Sequence, residues 1–183
     1  MAHTSARDLN GELMRLFDRL FGRPNANEAA RPLYNAVVAR GREAHWYRAG
    51  GVPDTIDGRF EMIAAILALV IARLELEPEQ KQNVAWLVEL FVTDMDSQLR
   101  EIGIGDMVVG KHMGRMMGAL GGRIGAYRDG LREGEFEAAL VRNLYRGEEP
   151  PAAALEHTAE QLRAFYLALH AASADSIAAG QLP

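Results

Sequence analysis

Met62–Ala72 reads MIAAILALVIA, the longest apolar run in the chain. At eleven residues it is too short for the ~20 needed to cross a bilayer. Wound as a helix, it is apolar on every side, so other elements must enclose it. The signals on either side fix its limits. Asp54 or Thr55 can cap the helix, and Asp57 stands in the first turn, where the helix dipole favours an acid. The spacing predicts a central core helix over about Ile56 to Leu76.

Working outward, the other apolar residues also recur at helical spacing. Upstream, Leu9, Leu13, Leu16, Phe17, Leu20 and Phe21 form one face of an amphipathic helix that Gly22 and Pro24 end. A second helix is expected from the Asn27 to Pro32 region to about Arg40, with Pro32 tolerated in its first turn. GREAHWYRAGGVPDT (41–55) then reads as a Gly- and Pro-punctuated connection. Downstream, Pro78 opens a helix over about Glu79 to Ile102, striped by Val84, Leu87, Val88, Phe91, Met95 and Leu99. GIGD (103–106) stops it and caps a glycine-rich helix to about Tyr127. GEFEAALVRNLY (134–145) makes a sixth helix, which GEEPP breaks. An Ala-rich helix over about Ala152 to Ile177 follows. No stretch alternates at period two, and there is no internal repeat. The expectation is one all-α domain over 1–183 with about seven helices: an N-terminal amphipathic helix in 1–24, a core over 32–131 and a C-terminal helix over 152–178.

Composition narrows the function. The 183 residues are 49% hydrophobic and 25% charged, which is enough apolar material for one core. The net charge of −5 argues against a nucleic-acid partner, which would select a basic surface. With no cysteine, disulfides, Cys-ligated metals and thiol catalysis are excluded. The N-terminus lacks the unbroken apolar stretch of a signal peptide, and Asp8, Glu12 and Asp18 are unlike a transit peptide. A cytoplasmic location, with room for peripheral contact at the inner membrane, is the expectation.

The glycine-rich helix poses the central question. VGKHMGRMMGALGGRIG (109–125) holds six glycines, each costing ~1 kcal/mol against Ala inside a helix. At ~100° per residue, Gly110, Gly114, Gly118, Gly121, Gly122 and Gly125 share one third of the circumference. Met113, Met116, Met117, Leu120, Ile124 and Tyr127 occupy an adjoining arc, and Lys111, His112, Arg115 and Arg123 lie on the remaining, basic one. A smooth glycine face admits another backbone closely. The plainest candidate is another helix of the same domain, such as the apolar third one; the sharper one is a helix of a partner, which the adaptable methionines nearby would suit.

No catalytic constellation emerges. His3, His45, His112, His157 and His170 contain no zinc-type i, i+4 pair, and there is no P-loop or nucleophile elbow. His112 and Met116 have a spacing that could ligate haem iron, but His112 lies on the basic face. Asp94, Asp96, Glu101 and Asp106 lack the calcium-loop pattern and read as a solvated helix face with a cap. No cofactor or metal is expected. Trp46, with Tyr47 and Arg48, marks either an interface or a plug over the core.

HWYRAGGVPDTIDGRFEMI (45–63) and DMDSQLREIGIGDMVVGKHMGRM (94–116) together resemble the ubiquinol–cytochrome c chaperone family, over about Pro32 to Leu131. The resemblance implies an all-α, non-enzymatic chaperone that binds newly made cytochrome b and helps assemble the cytochrome bc1 complex. In mitochondrial members a small co-chaperone takes part near the ribosome and inner membrane; this chain looks like a bacterial member. The family positions carried over are Trp46, Tyr47, Gly51, Pro53, Asp54, Asp57, Gly58 and Arg59 from the first string. The second supplies Asp94, Asp96, Leu99, Arg100, Glu101, Gly105, Asp106, Gly110 and Lys111. Gly114, Arg115 and Gly118 join them as candidate partner contacts on the glycine and basic faces. Gly121 stands where the family commonly shows an aromatic. Two other readings stay open at this point: a small-molecule or haem-binding helical protein, and an enzyme using Asp94, Asp96 and Arg100.

Overall fold

The computed structural model describes residues 27–101 and 106–183, with side chains except those of residues 96 and 98–119. The amphipathic helix expected before Pro24 lies outside the described residues. Within them every regular element is helical. A 3-10 turn, Asn27–Ala30, leads into α1 (Arg31–Gly41), followed by α2 (Ala44–Arg48) and α3 (Ile56–Leu74). A second 3-10 turn, Pro78–Gln80, opens α4 (Lys81–Glu101). Then come α5 (Asp106–Glu133), α6 (Phe136–Asn143), α7 (Ala152–Ala171) and α8 (Ala174–Ala178).

The apolar run is the centre. Every residue of α3 from Glu61 to Leu74 is buried, and α1, α4, α5 and α7 all pack on it. Thr55, rather than Asp54, caps α3, its hydroxyl accepting the Gly58 N–H at 3.1 Å. Arg73, near the far end of α3, closes the C-terminus of α7. Its guanidinium donates to the carbonyls of Leu169 (3.2 Å) and Ala172 (3.3 Å) and to Glu77 (3.1 Å). A cation at the last carbonyls of a helix satisfies orphan acceptors and complements the dipole.

Four boundaries differ from the sequence reading. The segment taken as a connection contains α2, because Trp46 is drawn fully into the core. The glycine-rich helix runs beyond Tyr127 to Glu133 and ends at Gly134, which is left-handed at φ 84. It continues through Gly130 because α6 leans on that point: a Cβ there would sit 3.1 Å from the Phe136 Cα. α6 ends early, at Asn143, ahead of left-handed Arg146 and Gly147. The C-terminal helix is broken at Ala172, whose backbone is extended, and Ser173 caps α8 by accepting the Ser176 N–H at 3.1 Å.

Candidate functional site

The loop between α2 and α3 is held by groups that leave no freedom at its glycines. Trp46 Nε1 donates to the Arg40 carbonyl at 2.7 Å, and the Tyr47 hydroxyl to that of Gly41 at 2.7 Å. The Tyr145 hydroxyl donates to the Gly50 carbonyl at 2.6 Å and lies 2.9 Å from Thr158 Oγ1. A Cβ at Gly50 would fall 2.4 Å from Thr158 Oγ1, and one at Gly58 2.0 Å from the Pro53 carbonyl oxygen. Gly51 takes a left-handed φ of 64.

The family string therefore divides into two kinds of residue. Trp46 and Gly58 are buried and hold the fold; Trp46 plugs the core rather than presenting a surface. Tyr47 is half-buried, while Gly51, Pro53, Asp54, Asp57 and Arg59 are exposed. Asp54 accepts from Arg59 at 2.6 Å, and Asp57 pairs with Arg146 across the α6–α7 turn. Asp94 is half-buried and accepts the Tyr34 hydroxyl at 2.6 Å, and that hydroxyl is also pushed far above the usual phenol range, first by burial and then by this carboxylate. Gly105 lies outside the described residues. So do the side chains of Asp96, Leu99, Arg100, Glu101, Asp106, Lys111 and Arg115, and the surroundings of Gly110, Gly114 and Gly118. The carboxylate–Arg enzyme site thus keeps Asp94 alone among the described side chains, and there it serves a helix–helix hydrogen bond.

On the later half of the glycine face, no described element packs over the glycines. Leu120 and Tyr127 are buried, and Ile124 and Ala126 pack on the core. Gly121 and Gly122, on the opposite side, are exposed and Gly125 is half-exposed; a Cβ at any of the three would meet nothing within 4 Å among the described residues. Arg123, placed by the sequence on the basic face, turns inward. It reaches Glu61 of α3 at 2.5 Å, and its guanidinium lies 5.8 Å from the Phe60 ring centre. Burial pushes the Glu61 carboxyl above the usual range, against the pull of Arg123. The adjacent Tyr127 hydroxyl is buried with no partner among the described residues, and burial raises its pKa as well. A buried ion pair is costly to break, at ~3–5 kcal/mol when one partner is removed. It fixes the rotation of α5 and so keeps the glycines outward.

Among the described residues no group of three or more His, Asp or Glu could hold a metal ion, and no helix is long and apolar enough to cross a membrane. His45 Nδ1 lies 3.0 Å from His157 Nε2, with Glu43 3.0 Å from the other ring nitrogen, tying α2 to α7. The sequence did not signal that pairing, because the two histidines are 112 residues apart.

Among the described residues the regular structure is all helical, and the Gly121–Gly125 side of α5 stands open to solvent: the class is a helical protein. The chain belongs to the ubiquinol–cytochrome C chaperone family, whose model matches residues 48–182. That match begins later than the resemblance read from the two strings, leaving 32–47 outside it, and runs on past 131 through the C-terminal helices. Among solved structures the chain is similar to the crystal structure of the Cbp3 homolog from Brucella abortus. The two share 31% identity over 93% of this chain and 94% of that one, with a TM-score of 0.76. No match is found among the curated proteins.

Proposed function

We propose that this chain is a non-enzymatic chaperone that holds newly made cytochrome b during assembly of the cytochrome bc1 complex, and that the exposed glycine face of α5 is one of its contact surfaces. The observation that carries the contact surface is the open space over Gly121, Gly122 and Gly125. Such a surface lets an apolar client helix approach the backbone of α5 closely, as small residues do between membrane helices. Family membership supports the bc1 context. The exposed loop residues Gly51, Pro53, Asp54, Asp57 and Arg59, with the candidates on α4 and the first half of α5, are the further positions proposed for partners. A small co-chaperone, and a station at the ribosome or inner membrane, belong to the same reading.

The test is affinity capture from solubilised cells making the bc1 complex, probed for cytochrome b, with a Gly121→Leu/Gly125→Leu variant alongside. Neither leucine meets a described neighbour at its Cβ, and a thermal melt of the variant checks that it folds. Wild type is expected to retain cytochrome b and the variant to lose most of it. Absence of cytochrome b from the wild-type capture would overturn the client; equal capture by both would overturn the surface.

A further inference from the structure

A basic cleft lies between α2 and the start of α3. It encloses about 430 Å³ and is lined by Arg42, Tyr47, Arg48, Asp54 and Arg59, with Ala44. Three guanidiniums against one carboxylate make it positive on a chain whose net charge is −5. Asp54 is committed to Arg59 at 2.6 Å. Arg42 and Arg48 are exposed and have no ion-pair partner among the described residues. Burial holds the Tyr34 and Tyr47 hydroxyls in their neutral forms, and Arg42, the smaller influence, lies near both. It also borders a second cleft, of about 380 Å³, between α1 and α4. There Asn35 and Ser97 offer neutral hydrogen-bonding groups, the Thr93 hydroxyl donates to the Glu89 carbonyl at 2.8 Å, and the carboxylate present, Asp94, already accepts from Tyr34.

We infer that this pair of clefts binds an extended acidic segment of a partner protein, with Arg42 and Arg48 taking its carboxylates. Guanidinium forks match carboxylates bidentately, and the Asp54–Arg59 contact shows a carboxylate already seated against one wall. Two concave clefts meeting at Arg42 suit a chain laid along them, whereas a flat bilayer would reach a protruding surface. Asn35 and Ser97 supply partners for the backbone of a chain that continues past Arg42. The inference goes beyond the cytochrome b reading and does not depend on which protein is the client.

The experiment measures anisotropy of a short fluorescein-labelled glutamate-rich peptide titrated with the full chain, against the same peptide carrying glutamine. Arg42→Glu/Arg48→Glu is the test variant, and Arg132→Glu, exposed on the far end of α5, is the control. Thermal melts confirm that both fold. The acidic peptide is expected to bind more tightly than its glutamine twin. The double reversal is expected to weaken it about tenfold or more, because each exposed pair lost is worth a few-fold and the new charges repel. The control should bind as wild type does. Equal binding of the two peptides, or less than a twofold loss in the double variant, would overturn the inference. So would phosphatidylglycerol vesicles binding through Arg42 and Arg48 while the peptide does not bind. Cytochrome b capture is scored separately, so either reading can fail alone.

Discussion

Replacing Gly121, Gly122 and Gly125 together by alanine should make the protein more stable. Each glycine lies inside α5, and among the described residues each new Cβ would find open space rather than a neighbour. The steric cost is therefore nil, and the helix gains the Ala–Gly propensity difference of ~0.8–1.0 kcal/mol per site, partly by restricting the unfolded chain. Three sites give about 2.5 kcal/mol on that scale. For a chain of this length, 1 kcal/mol moves the melting midpoint by roughly 2–4 °C, so a rise of roughly 5–10 °C is expected. Thermal unfolding followed by circular dichroism reads it directly, and urea unfolding separates a change of midpoint from a change of slope. A fall in stability would refute the reasoning, since it would mean that the free protein packs something on this face. Gly130 serves as the internal contrast: on the same helix its Cβ would press on Phe136 and Ala139, and Gly130→Ala should destabilise.

Removing the ion pair behind the glycine face with Arg123→Met should cost ~3–5 kcal/mol, because Glu61 is left buried without its cation; a midpoint within error of wild type would contradict this. Gly58→Ala should be among the most damaging single changes in the chain, since its Cβ would overlap the Pro53 carbonyl at 2.0 Å; soluble, fully folded protein would count against it. Arg73→Met should loosen the end of α7 by leaving the Leu169 and Ala172 carbonyls unserved, and hydrogen exchange should show the loss of protection there first. His170, stacked edge-on against Tyr166 at 4.4 Å, has its pKa lowered from 6.5, first by burial and then by Arg73. The fold thus disfavours its charged form, so its contribution is present above pH 6.5 and lost as pH falls through the lower folded value. An NMR titration should place the imidazole midpoint below 6.5, and a midpoint at or above it would refute the assignment.

Much of the fold was legible because its signals are local. The MIAAILALVIA run could only be enclosed, and it is; the stripe of α4 from Leu87 through Phe91 to Met95 is buried as its spacing requires. What was missed depends on distant partners. Arg123 reads as a surface cation on a helical wheel, and only the approach of Glu61 from α3 turns it inward. Trp46 read equally as an anchor or a plug until Arg40 and Thr158 closed around its loop. The break at Ala172 rests on one serine cap, a weak signal within an otherwise helical run. The candidate site was legible in part for the same reason. The glycine wheel placed Gly121, Gly122 and Gly125 on one face, but which face meets the core is decided by Leu120, Tyr127 and the ion pair. The basic cleft joins Arg42 and Arg48 to Arg59 from a different helix, so no contiguous motif announces it.

The central claim, that the chain holds cytochrome b against the smooth face of α5, is tested most directly by a photo-crosslinking residue placed at Gly122, with one at exposed Glu156 on α7 as comparison. Illumination of cells assembling the bc1 complex is predicted to join cytochrome b to the chain from position 122 and not from position 156. No adduct from 122, or equal adducts from both positions, would contradict the account.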